Sequence, residues 1–257
     1  MLWHKSWIDT RWRFLLGLVM LVALACGTVM SFSTVQRLAA ALQPGAVVGN
    51  ESLQQELQES LELLSTFRGY AWSEWFAANL TALPGLLTLF AALLGSGSPL
   101  VKSGSGALFS LALPVSRGRW IGTRAATGLA ELFVLALAAS VTVAAVAPLV
   151  GEHFASVEAV VYGLCAFVGA SLFFAAAVLF STLFNDVWRP LLLTCLTALV
   201  IATVGLLLPE HHGLFQAMGG GSYFYDGGLP WAELLVSAAG APGLIYAAAA
   251  NVARRDF

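Results

Sequence analysis

Val157 to Phe184 reads VEAVVYGLCAFVGASLFFAAAVLFSTLF. After Glu158 the run holds no charged residue, and small and large apolar side chains fill it. A helix rises 1.5 Å per residue, so about 20 such residues cross the roughly 30 Å of bilayer hydrocarbon. A run of this length therefore reads as a transmembrane helix. A barrel strand would be about 10 residues of alternating polarity, and this run is continuously apolar. In lipid the helix also satisfies every backbone N–H and C=O within the segment.

Five further stretches pass the same test. They are Phe14 to about Val35, about Trp75 to Leu94, about Ala125 to Val150, Leu191 to Leu208, and Trp231 to about Val252. The expected fold class is an all-α integral membrane protein with six transmembrane helices in a single domain covering residues 1–257. Composition agrees. The chain has 257 residues, 59% apolar and 10% charged, against about 25% charged in an ordinary soluble domain. The mean hydropathy is +0.83. Pro84, Pro148 and Pro242 interrupt or bound apolar runs, and Pro84-Gly85 is the expected kink in the second span. The first run is too long for a signal-peptide core and lacks a good cleavage site, which favours a retained span.

Lysine and arginine orient the chain. With the N-terminus in the cytoplasm, the inner segments hold Lys5, Arg11, Arg13, Lys102, Arg117, Arg119, Arg124, Arg189, Arg254 and Arg255. The outer segments hold Arg37 and Arg68. Both termini are thus expected inside, in the cell inner (cytoplasmic) membrane. Glu51, Glu56, Glu59, Glu62, Glu74, Glu152, Glu210 and Asp226 fall outside. The basic residues form no domain able to grip DNA or RNA, so no nucleic-acid partner is expected.

The connecting segments differ in character. Residues 1–13 mix Trp3, Trp7 and Trp12 with Lys5, Arg11 and Arg13, which suits a headgroup layer and predicts an interfacial helix contacting membrane lipid. Residues 37–74 form an external segment. Leu53, Leu57, Leu61 and Leu64 recur there at helical spacing among acids and predict an amphipathic helix. Residues 209–230 form a second external loop. Gly219-Gly220-Gly221 and Gly227-Gly228 predict irregular backbone, with Tyr223, Phe224 and Tyr225 at the interface.

Chemistry is sparse. Cys26, Cys165 and Cys195 lie in apolar runs and suggest neither a disulfide framework nor a metal site. No Walker A, H-E-x-x-H or G-x-S-x-G pattern occurs. His211-His212 beside Glu210 is a weak metal pattern, and a solvated loop accounts for it. Glu131 is an acid inside the third span, a functional candidate by position. Arg124 lies two helical turns earlier on the same face, so structural pairing is the expected role. Asn185, Asp186 and Arg189 suit helix capping before the fifth span.

Residues 95–124 stand apart. The run Gly106 to Trp120 reads GALFSLALPVSRGRW. It lies on the expected cytoplasmic side, yet carries Leu108, Phe109, Leu111 and Leu113. Such a face must be buried against membrane, bundle or partner. Pro114 ends its helical stretch, and Ser116 can cap the next helix.

At these residues the chain resembles the permease, or membrane-spanning subunit, of an ABC transporter of the ABC-2 type. The Gly106 to Arg117 run, with its Leu-Pro-Val-Ser-Arg ending, resembles the family's cytoplasmic segment between spans two and three. Trp12-Arg13-Phe14, preceded by Lys5 and Asp9-Thr10-Arg11, resembles its interfacial helix. Ala253-Arg254-Arg255-Asp256-Phe257 resembles its common ending. Lys102-Ser103-Gly104-Ser105 stands where family members often carry Glu- and Arg-rich residues.

The resemblance implies two permease chains, identical or paralogous, with two copies of an ABC ATPase subunit. It implies no catalysis and no cofactor on this chain, with ATP and Mg bound by the ATPase. Phe109, Leu111, Leu113, Pro114, Ser116 and Arg117 would form the cytoplasmic coupling helix docked on that ATPase. Trp3, Trp7, Arg11, Trp12 and Arg13 would flank the contact. The second and fifth spans would line the path. The implied cargo, exported, is a lipid, peptide or hydrophobic compound. The alternatives are a non-transporting scaffold or sensor using the same apolar helix, or an intramembrane metal enzyme built on His211 or Glu131.

Overall fold

A computed structural model of the chain describes residues 2–41, 60–77, 80–97, 117–184, 186–205, 207 and 213–254. Among these residues every regular element is helical. The elements are α1 (Leu2–Ala41), α2 (Phe67–Ala71), a π-helical turn (Trp72–Phe76), α3 (Leu83–Gly95), α4 (Arg117–Val146), a 3₁₀ turn (Ala147–Val150), α5 (Ser156–Leu183), α6 (Trp188–Gly205), α7 (Leu214–Met218), α8 (Gly221–Asp226) and α9 (Trp231–Ala253). Residues 60–65 are also helical.

Among the described residues, five helices are long and apolar enough to cross a membrane: α1, α4 with its 3₁₀ end, α5, α6 and α9. The protein is therefore a multi-pass membrane protein. Its centre is α5, the helix formed by Val157 to Phe184. Two thirds (67%) of its most apolar window is buried, against 17–33% in the other four helices. It touches α3, α4, α6, α7 and α9. Small residues at Ala159, Gly163, Ala166, Gly169, Ala170 and Ala177 let neighbouring backbones approach it closely. At the α3 crossing, a Cβ added to Gly95 would lie 2.6 Å from Ala177 Cβ and 2.8 Å from Phe174 O. Only glycine fits there. The spans' hydroxyls fold back on their own helices: Ser140 Oγ donates to Ala136 O (2.9 Å) and Thr194 Oγ1 to Pro190 O (2.8 Å). This satisfies them where no water reaches.

The expected second span, Trp75 to Leu94, is broken. Trp75 lies in the π-helical turn, and α3 starts afresh at Leu83 after Ala82 adopts extended backbone (ψ 179°). Pro84 sits in the first turn of α3, where its missing N–H costs no helical hydrogen bond. It starts a helix instead of kinking one. With 13 residues, α3 is about 20 Å long, short of the roughly 30 Å of hydrocarbon.

Other boundaries shift. Residues 2–13 do not form a separate interfacial helix; α1 runs unbroken from Leu2 to Ala41 because no Gly or Pro separates the basic start from the apolar run. Residues 117–124, expected as part of the connecting segment, are already helical within α4. The helix expected as the fifth span begins three residues early, at Trp188, with the Asp186 carboxylate accepting from Arg189 N (2.8 Å) as its cap. Pro148 ends α4 through the 3₁₀ turn, closed by Gly151 at φ 80°. Pro242 lies inside α9, which continues past it. Of the predicted external amphipathic helix, Leu53, Leu57 and most of its acids lie outside the described residues; Leu64 packs on the core.

Candidate functional site

The bundle has two built ends. At the basic end, the first turns of α1, the last turn of α3 and the first turns of α4 converge. A helix C-terminus leaves carbonyls without intrahelical donors and carries partial negative charge. Arg13 answers both needs: its Nη1 donates to Leu93 O at 2.7 Å. Ser96 Oγ donates to the same carbonyl at 3.2 Å. Arg124 lies against Gly97, where an added Cβ would collide with its Nη2 and sit 3.1 Å from Arg13 Nη1. Two guanidinium groups thus cover the end of α3.

Glu131 belongs to the same node. It is 3% exposed. Thr10 Oγ1 donates to Glu131 Oε1, tying α1 to α4. Glu131 Oε2 is buried and has no hydrogen-bond partner among the described residues. The expected pairing with Arg124 is replaced by this bond. Seven residues along one helix are about 10 Å apart, and the Arg124 head is turned toward Gly97. Arg124 acts on Glu131 only through space, as Asp9 does on Arg124.

The sequence-derived site residues divide. Trp3, Trp7, Arg11 and Trp12 are exposed on α1, with the Arg11 guanidinium 5.6 Å from the Trp12 ring centre. Arg13 alone turns inward. Phe109, Leu111, Leu113, Pro114 and Ser116 lie outside the described residues, and so does the expected coupling helix. Arg117 opens α4. His211, His212 and Glu210 also lie outside the described residues. Among the described residues no three His, Cys, Asp or Glu side chains group as a metal site. Thr10 and the Leu93 carbonyl escape sequence reasoning. A hydroxyl and a backbone acceptor carry no motif.

At the opposite, aromatic end, residues 213–230 of the loop expected to be irregular are folded onto the bundle. Gly220 (φ 63°) turns α7 into α8, and Gly227 (φ 69°) ends α8. Both conformations favour glycine. Trp72 stacks on Phe224 at 4.3 Å and 11°, and its Nε1 donates to Gly219 O at 3.1 Å. Tyr162 of α5 stacks on Phe76 (4.6 Å) and meets Tyr223 edge-on (5.6 Å). Phe67 meets both Phe32 and Phe154 edge-on. Arg68 pairs with Glu158 at 3.0 Å and lies 4.9 Å from the Phe224 ring centre. Burial opposes the Arg68 charge, but the Glu158 hydrogen bond and field outweigh it and raise its pKa. Burial pushes the Tyr70 phenol up to about 12, with Glu74 adding to the shift. Tyr70 therefore stays a neutral donor, bonding Thr28 O at 2.8 Å.

Tyr223 and Phe224 are thus half-buried parts of a cap packed on the core, while Tyr225 remains exposed. A scan of family models and searches of curated proteins and solved structures find no match to the chain.

Proposed function

We propose that this chain is the permease subunit of an ABC transporter of the ABC-2 type. It would work with a second permease chain and two copies of a separate ATPase, which binds the ATP and Mg. The observation that carries the reading is the polar node. Residues 98–116, which contain the Leu-Pro-Val-Ser run, are bracketed by the end of α3 and the start of α4. Arg13 and Thr10 tie those two helices to α1. A partner moving that segment would act on three helices at once, which suits a coupling element that biases a two-state bundle.

In this reading the chain crosses the inner membrane six times, with the basic end in the cytoplasm. The second crossing is the broken path through the π turn and α3. Broken helices are tolerated at membrane depth when protein covers the break, and Trp72, Trp75 and Phe76 are buried. The exposed Leu192, Leu196, Leu199 and Val204 of α6 leave a face for lipid or the second permease. The apolar composition of the spanning helices favours a lipid, peptide or other hydrophobic cargo, moved outward as the family resemblance implies.

Cysteine labelling in intact cells tests the orientation. A cysteine at Ser103 is expected to react with a membrane-impermeant maleimide only after permeabilisation, and one at Glu152 without it. The reverse pattern overturns the topology. Hydrolysis of ATP stimulated by a hydrophobic cargo separates this reading from a scaffold that binds the same partner without transport.

A further inference from the structure

Glu131 Oε2 is the observation that the coupling role does not use. A carboxylate buried in a membrane helix is costly unless a proton or cation neutralises it. Its other oxygen is bonded to Thr10, and Arg124 makes no hydrogen bond to it among the described residues. Beside it lies a cleft of about 570 Å³ between α1 and α4. Thr127, Glu131 and Val134 line the α4 wall, and Trp3, Trp7 and Phe14 the α1 wall. These positions follow helical spacing on both helices, so the cleft is a continuous seam. Trp3, Trp7 and Val134 are exposed, so it opens sideways to the bundle surface.

A carboxylate in a cleft that indole rings also line is the chemistry that recognises an ammonium group, through charge and through the ring faces. The apolar side chains of Phe14 and Val134 suit a hydrocarbon tail. We propose that this cleft binds an amphiphile with a protonated or quaternary ammonium head, the head at Glu131 and the tail along α1 and α4. Asp9 and Arg13 act through space on Arg124, and Arg124 on Glu131; His4 lies on the cleft rim, and Arg11 and Arg119 are exposed at the same end. The two arginines are engaged at the end of α3, and neither is hydrogen-bonded to the Glu131 carboxylate among the described residues.

The test uses the purified chain alone in maltoside detergent, so its outcome is independent of any ATPase. Native mass spectrometry reads the binding of dodecyltrimethylammonium. The expected result is one saturable site whose affinity falls at least tenfold in Glu131→Gln. Glutamine keeps an acceptor for Thr10 and removes only the charge. Trp7→Leu, which leaves the carboxylate in place, is expected to weaken binding several-fold. Competition by phosphatidylethanolamine, but not phosphatidylglycerol, would assign the site to a membrane lipid; failure of both to compete would assign it to a soluble amphiphile. Equal binding by wild type and Glu131→Gln, or equal binding of an uncharged amphiphile of the same chain length, overturns the proposal.

Discussion

Trp72→Ala is expected to destabilise the folded protein by about 3–5 kcal/mol, the range for removing a buried Trp or Phe. Three losses combine. The ring's volume disappears from a site that is 8% exposed. The stack on Phe224 and the edge contact with Tyr225 go with it, worth about 0.5–1.5 kcal/mol per aromatic pair beyond area. The Gly219 carbonyl loses its indole donor. Trp72→Phe keeps a stacked ring and gives up the hydrogen bond, for about 1 kcal/mol. Thermal unfolding in detergent, followed by size-exclusion chromatography, should rank wild type above Trp72→Phe, and that above Trp72→Ala. Equal midpoints for all three would mean that the aromatic cap contributes nothing to the fold.

The second large effect is expected at Gly95. Even one added carbon meets Ala177 and the Phe174 carbonyl at distances that real contacts do not reach. Leucine there must push α3 off α5, and the obstacle includes main chain that cannot rotate away. Overpacking a well-filled core costs about 1–3 kcal/mol, and occasionally more. Gly95→Leu should lower the unfolding midpoint sharply and reduce the monodisperse yield. Gly27→Ala is the control, since nothing lies within 4 Å of its added carbon. It should be silent or slightly favourable by helix propensity. If Gly95→Leu behaves like Gly27→Ala, α3 does not cross α5 as described.

The sequence exposes some of this architecture and hides the rest for physical reasons. Val157 to Phe184 and Trp231 to Val252 correspond to α5 and α9 almost residue for residue. Each is bracketed by charge, turn or proline signals, so length and composition suffice. The N-terminal boundary of α1 is illegible because residues 2–13 contain nothing to stop a helix. Hydropathy reports a change of solvent there, not a change of backbone. The break before α3 reads in the sequence as a kink at Pro84. The difference depends on Trp72 and Phe76 finding aromatic partners far along the chain, which no local window contains. The same holds for the loop at 209–230. Its glycines do mark turns, but the turns are tight because Trp72, Tyr162 and Arg68 hold Tyr223 and Phe224 against the bundle.

The basic end repeats this lesson. Arg11, Arg13 and Arg124 are legible as charges at an interface. Arg13 differs from Arg11 only because the end of α3 arrives beside it, and its partner is a backbone oxygen. Glu131 is legible as an unusual acid, and Arg124 is its obvious partner along the helix. Tertiary packing puts Thr10 there first. The leucines and proline of residues 106–117 remain the one place where the sequence speaks for function and the described residues do not.

Capture of the partner tests the central claim most directly. The tagged chain, expressed in its own host and purified in a mild maltoside detergent, should bring down an ATPase carrying a Walker A motif at near-equal stoichiometry. A Leu111→Glu/Leu113→Glu variant, expressed and folded to the same level, should lose that ATPase while keeping the bundle intact. Purification of the wild-type chain without any such ATPase, or equal capture by the variant, would contradict the permease reading.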